Sequence, residues 1–231
     1  MPNKNRFIFK GELSDTFGLE LVPIKLGRRQ KAEEQIDRYE IPYSNNELII
    51  HSGKYKPYIQ EFEFILKDYK LIPVINQWLS GRGNLQIDDN TDCYLIASVI
   101  EGWEYEKFTF NTYKFSVKFL VDPFYYFMES RSKIITKPGN YANRGNIYSE
   151  PYIKINGNGN VELIINSQIC SFTDVQDFIE IDTELKIAYK DTINQGYRMN
   201  GDFPILNPGI NSINWTGNVT SLEIKNRSRE L

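Results

Sequence analysis

The sequence is poor in the side chains that most often carry chemistry. Of its 231 residues one is histidine and two are cysteine. His51 has no cysteine or carboxylate cluster near it in sequence, which makes it a poor metal ligand or general base. Cys93 and Cys170 lie far apart, neither in a C-x-x-C pair, and both read as reduced core thiols. No apolar run approaches the roughly 18 residues of a membrane span. The opening stretch MPNKNRFIFKGELSD has no apolar segment of the signal-peptide kind, so neither a signal peptide nor membrane insertion is expected. Neither charge sign dominates: 27 basic and 30 acidic side chains give a net charge of −3. No basic stripe is present to neutralise phosphates, so sequence-specific nucleic-acid binding is not expected. The glycines fall in turn-like dipeptides rather than between a strand and a helix, so there is no phosphate loop. A nucleophile elbow and a Ser-His-Asp set are missing too. Two carboxylate pairs, Glu180/Asp182 and Asp88/Asp89, read as a solvated strand face and a turn rather than as a glycosidase pair. The expectation is a protein that is not an enzyme and that uses no cofactor and no metal.

What the chain has in quantity is aromatic residues, 14% of the total, with 15 Tyr and 14 Phe, a composition suited to strands. Within Asp68–Asp88, Leu71, Ile75, Trp78 and Leu79 recur at helical spacing and share one face. Pro73 fits only near a helix start, which places that start at Tyr69–Ile72, and Gly81 and Gly83 supply the stop. This short helix, set among strands, is expected to seal the apolar face of a sheet with Trp78 in the core. Tyr58–Lys67 alternates an aromatic face with a charged one, the pattern of a half-buried antiparallel strand. Cys93–Gly102 and Tyr113–Asp122 read as two more strands. Glu33–Pro42 reads as an exposed edge strand with Ile36 and Ile41 as its apolar points, Tyr43–Asn46 as a turn, and Glu47–His51 as extended chain. The preceding run Gly27-Arg28-Arg29-Gln30-Lys31 is basic; it reads as a solvated loop or as a contact for an acidic surface.

The loop KPGNYANRGNIYSEP, Lys137–Pro151, marks a boundary by its Pro, Gly and Asn content, dividing the chain into domains 1–140 and 141–231. Beyond it come short strands and no credible helix. Asn156-Gly157-Asn158-Gly159-Asn160 carries a hairpin signal, and Thr216-Gly217-Asn218 marks a later turn. The pattern is that of a two-sheet β-sandwich.

The order of these features resembles the distal tail protein family of long-tailed, non-contractile phages. The resemblance rests on Phe17-Gly18-Leu19, Trp78-Leu79-x-Gly81-x-Gly83-x-Leu85 and Phe115-x-Val117-x-Phe119 leading into Asp122-Pro123-Phe124. In the second half it rests on Asn143-x-Gly145, Ile153-x-Ile155-x-Gly157-x-Gly159, Ile179-x-Ile181-Asp182, Gly201-x-Phe203-Pro204-x-Leu206, Pro208-Gly209-x-Asn211 and the closing Ile224–Leu231. At Pro42–Ser44 the sequence departs from the glycine-rich turn that similar proteins often carry. The resemblance implies a mainly β protein: an N-terminal mixed sheet with one short helix, then a galectin-like β-sandwich. It implies a virion or prophage structural protein, usually six copies in a ring at the tail tip. Such a ring joins the tail tube protein to the tail-associated lysin or spike protein and to receptor-binding components, after assembly in the host cytoplasm. On that expectation Arg28, Arg29, Lys31, Ile36 and Ile41 are the candidate oligomer contacts. The alternative is a carbohydrate-binding module for host wall polysaccharide in the second domain, with Tyr189, Tyr197 and Trp215 as candidate sugar-stacking aromatics.

Overall fold

The computed structural model describes residues 6–21, 30–87, 92–128 and 132–231. The chain forms two compact units, Met1–Tyr125 with Leu231, and Tyr126–Glu230. The division falls inside a strand, upstream of the 140/141 boundary read from the sequence. The reason lies in pairing: the chain that follows, including the Pro/Gly-rich stretch, hydrogen-bonds to a strand near the C-terminus.

In the first unit the strands are β1 (Phe7–Phe9), β2 (Glu12–Leu13), β3 (Leu19–Leu21), β4 (Glu34–Glu40), β5 (Glu47–Tyr55) and β6 (Tyr58–Leu66). Helix α1 (Ile72–Trp78) follows, then β7 (Arg82–Ile87), β8 (Cys93–Val99), β9 (Glu106–Lys107) and β10 (Tyr113–Phe127). One sheet runs in the order β2-β1-β7-β8-β10-β6-β3, with β9 also on β10. The alternation in Tyr58–Leu66 is realised: Tyr58, Gln60, Phe62, Phe64 and Leu66 are buried, opposite inward-facing Phe115, Val117, Phe119 and Val121 of β10. Phe7, Phe9, Phe62, Phe64 and Phe119 pack as one aromatic cluster, which explains the Phe-rich composition. α1 seals that face with Ile75, Trp78 and Leu79, its proline in the first turn as expected. Trp78 stacks on Phe17 at 4.3 Å, and its indole N–H donates to the Phe9 carbonyl at 2.9 Å, so a large apolar group is buried without orphaning its one donor. Gly81, at φ 65°, lies just beyond the helix end. Gly83 does not stop the helix; it lies in β7, where a Cβ would come 2.4 Å from the Lys10 side chain.

The second unit is built on β11 (Lys133–Ile135), β12 (Gly139–Asn143), β13 (Tyr152–Ile165), β14 (Gln168–Val175), β15 (Phe178–Asp182), β16 (Ile187–Lys190), β17 (Ile193–Asn194), β18 (Met199–Gly201) and β19 (Gly209–Lys225). Two long strands, β13 and β19, are paired with each other along most of their length. At one end β13 also takes β15, followed by β16 and β17; at the other it takes β14, followed by β18. A single hydrogen-bonded sheet thus curls over itself around Ile153, Ile155, Leu163, Ile165, Ile213, Leu222 and Ile224. The expected sandwich is present, and its two leaves share β13 and β19.

The bend corrects two readings. Asn156–Asn160 is not a hairpin, and Thr216-Gly217-Asn218 is not a turn; both runs lie inside the long strands, where the register shifts. The two backbones approach so closely there that only glycine fits. A Cβ on Gly157 would meet the Asn218 carbonyl oxygen at 2.4 Å, and one on Gly217, at φ 89°, the Asn160 oxygen at 2.2 Å. The asparagines have separate work: Asn158 Oδ1 accepts from the Asp177 N–H at 3.0 Å and Asn160 Oδ1 from the Asp174 N–H at 3.2 Å, bracing a turn whose residues 174 and 177 hold positive φ.

Candidate assembly surface

Among the described residues β4 and β5 pair only with each other, as a two-stranded sheet. The register sets Ile36 opposite His51, Arg38 opposite Ile49, Tyr39 opposite Leu48 and Asp37 opposite Ile50. Paired residues share a face, so both faces carry apolar side chains. Almost the whole hairpin is exposed: Tyr39 is 54% exposed and Leu48 51%, with Ile41, Tyr43, Ile49 and Ile50 also exposed. An isolated two-stranded ribbon is marginal in water, and among the described residues no further strand pairs with either edge of this one. Its base is rooted in the core of the first unit. Ala32 is buried there, and the Tyr55 ring meets Phe124 edge-on at 5.6 Å. A bulge near Gln35 is held by Glu34, whose Oε2 lies 3.0 Å from His51 Nδ1 and whose Oε1 accepts from the Gly53 N–H. The hydrogen bond with His51 holds the Glu34 carboxyl below its ordinary value against desolvation, helped by Gly53 and by the His51 and Lys31 charges. The one histidine is therefore a fastener of the hairpin.

The sequence-derived contact residues fall as follows. Lys31 is exposed, Ile36 is half-buried on β4, and Ile41 is exposed at the turn. Arg28 and Arg29 lie outside the described residues. Sequence reading gives Glu47–His51 as extended chain but not as contact surface: Leu48-Ile49-Ile50 is an apolar triplet that the fold leaves exposed, which is legible only once β4 is seen as its sole strand partner among the described residues.

The three aromatics considered for sugar stacking occupy different places. Tyr189 lies on the outer side of β16, next to inward-facing Ala188. Trp215 is paired with buried Leu163 and packs against the core of the second unit. Tyr197 is exposed in a 3-10 turn, its hydroxyl accepting from Arg198 Nε at 3.0 Å. The carboxylates of β15 are committed elsewhere. Asp182 takes a two-pronged hydrogen bond from Arg227 at 2.7 and 2.8 Å. Glu180 accepts from the Tyr152 hydroxyl at 2.5 Å and the Asp191 N–H at 3.1 Å. Asp88 and Asp89 lie outside the described residues. Burial, with the Asp202 charge second, pushes the Cys170 thiol up to about 12, which keeps it protonated and unreactive at neutral pH. Among the described residues no helix is long and apolar enough to cross a membrane.

No family model matches the sequence, and no curated protein matches it. Among solved structures it is similar to SPP1 Dit (gp 19.1), described as a paradigm of the hub adsorption apparatus in phages that infect Gram-positive bacteria. The TM-score is 0.74 over 95% of this chain and 98% of that one, at 12% identity. The chain has the fold of SPP1 Dit. This agrees with the resemblance carried by the sequence motifs and extends over both units.

Proposed function

We propose that this protein is a structural hub subunit of a phage tail tip. The observation that carries the reading is the likeness to SPP1 Dit over nearly the full length of both chains. The exposed hairpin supports it from physics, because a ribbon with apolar residues on both faces and two open edges is suited to be covered by another chain. In this reading copies of the chain close into a ring of six, a closed assembly of the kind that identical subunits form. The ring sits at the end of the tail tube, between the tube protein and the lysin or spike and receptor-binding components. Its role is mechanical and connective, and its opening passes DNA without reading sequence. The contact arm comprises Arg28, Arg29, Lys31, Ile36 and Ile41, now joined by Leu48, Ile49 and Ile50. Two-dimensional classes of negatively stained particles test it: rings with an open centre are expected from the purified protein or from its mixture with tail tube protein. Only single-chain particles in both samples would overturn it.

A further inference from the structure

The connection from β8 to β10 builds a second surface on the first unit. Its tip exposes two phenyl rings, Phe108 at 66% and Phe110 at 86%. A closed turn holds them out: the N–H groups of Phe108 and Thr109 both donate to the Thr112 carbonyl, at 2.8 and 3.2 Å. β9 leads into that turn and pairs Glu106 with Lys114 of β10. Beside it a cleft of about 390 Å³ lies over the outer side of β10, with Glu63, Glu101, Glu104, Glu106, Lys114 and Lys118 as its charged lining. Lys114 bridges to Glu63, and Lys118 to Glu101 at 2.8 Å, so each lysine is matched by one carboxylate. Glu104 and Glu106 are left over and give the lining an excess of negative charge. Lys107 does not line the cleft; its ammonium lies 5.7 Å from the centroid of the Phe110 ring.

Two phenyl rings fixed in water on a tight turn are unfavourable for a free chain and suited to anchor a partner. An acidic cleft next to them attracts a cationic partner and rejects an acidic one. An extended segment meets both demands, because its side chains alternate, with basic residues to one side and apolar residues to the other. Much of this chain's own basic surface is committed elsewhere: among the described residues Lys56, Lys67, Arg82, Lys186, Lys190 and Arg198 each bridge one of its own carboxylates. We propose that this surface receives an extended segment of a different protein in which arginine or lysine alternates with large apolar residues. The cations meet Glu104 and Glu106, and the apolar side chains meet Phe108 and Phe110. This rests on the hub reading above, in which the chain grips neighbours unlike itself, and gives one such grip a place and a chemistry.

Fluorescence anisotropy on the full chain tests it, with a labelled hexapeptide of alternating arginine and leucine as the probe. The peptide binds wild type saturably, and the same peptide with glutamate in place of arginine, or serine in place of leucine, binds at least tenfold more weakly. Glu104→Arg/Glu106→Arg weakens the basic peptide at least tenfold, and Phe108→Ser/Phe110→Ser at least threefold. All four residues are exposed, so both variants keep the circular dichroism of wild type. No binding to wild type, or binding that neither pair changes, overturns the proposal. A loss at 104 and 106 with no effect at 108 and 110 makes the cleft a general polycation contact and overturns it as well. Self-association of Glu104→Arg/Glu106→Arg, followed by sedimentation velocity, stays within twofold of wild type; a tenfold rise in the concentration required makes a second copy the occupant and overturns the proposal. The hub reading is judged apart, on the rings of wild type. Rings without peptide binding remove this surface alone, whereas peptide binding as described without rings supports this surface and counts against the ring.

Discussion

Replacing glycines at the bend of the second unit separates two physical costs that usually come together. Gly159 has φ 80° and nothing within 4 Å of a Cβ, so Gly159→Ala meets backbone strain alone. Gly157 has no positive φ but a carbonyl oxygen 2.4 Å from a Cβ, so Gly157→Ala meets crowding alone. Gly217 has both, φ 89° and an oxygen at 2.2 Å. A left-handed backbone costs a non-glycine residue about 1–2 kcal/mol. Alanine returns roughly 0.4–1 kcal/mol by narrowing the unfolded ensemble. Crowding against backbone atoms that cannot rotate away costs on the order of 1–3 kcal/mol. The net losses are about 1 kcal/mol for Gly159→Ala, about 1–2 kcal/mol for Gly157→Ala and about 2–4 kcal/mol for Gly217→Ala. The assay is urea-dependent hydrogen exchange read by mass spectrometry on peptides from β13 and β19, which isolates the second unit from the first. The reasoning is refuted if Gly217→Ala is no more destabilising than Gly159→Ala, because the crossing of the two strands would then not require glycine.

Other consequences follow from particular contacts. Arg227→Met leaves the Asp182 carboxylate, 5% exposed, without its two-pronged partner and lowers second-unit stability by about 3 kcal/mol in thermal unfolding at neutral pH. Burial pushes the Asp182 carboxyl up, but hydrogen bonds from Arg227 and the Leu185 N–H and the Arg227 charge outweigh it, so its folded pKa lies below the ordinary value. Stability from this pair is therefore complete above the ordinary aspartate range and is lost as pH falls through the lowered folded value. A titration of unfolding free energy against pH shows that loss in wild type and a smaller one in Arg227→Met. Trp78→Phe removes the indole bond to the Phe9 carbonyl and costs the first unit about 1–3 kcal/mol, read by chemical denaturation. Leu48→Ser/Ile49→Ser lowers monomer stability by about 1–2 kcal/mol, since each side chain is only about half exposed, and raises the concentration for self-association, measured by sedimentation.

Local pattern was enough to read the first unit's core. The alternation of Tyr58–Leu66, the Phe115-x-Val117-x-Phe119 face and the helical spacing through Trp78 each depend on neighbours a few residues away, and all three are realised. Long-range pairing was not legible. Asn156–Asn160 has the composition of a tight turn because a turn and a close strand crossing both favour glycine. What distinguishes them here is β19, more than fifty residues on, lying against the same backbone. The loop reading of Lys137–Pro151 fails in part for the same reason: Gly139–Asn143 looks like loop locally but is a strand paired with Gly209–Ile213. The assembly surface was partly legible. Ile36 and Ile41 marked the outgoing strand, whereas the role of Leu48-Ile49-Ile50 depends on the absence of a third strand beside them among the described residues, which no local signal encodes. The buried polar set of the second unit was unreadable too. Asn226 takes the Ser149 hydroxyl at 2.6 Å from 77 residues away, and Asn143 donates to the Leu206 carbonyl at 3.1 Å.

The central claim is self-assembly into a hub, and absolute mass by light scattering after size exclusion tests it most directly, over a wide concentration range. The account predicts a mass that climbs with concentration toward six times the 27.0 kDa chain. A mass fixed at 27.0 kDa over the whole range, unchanged by tail tube protein, would contradict it.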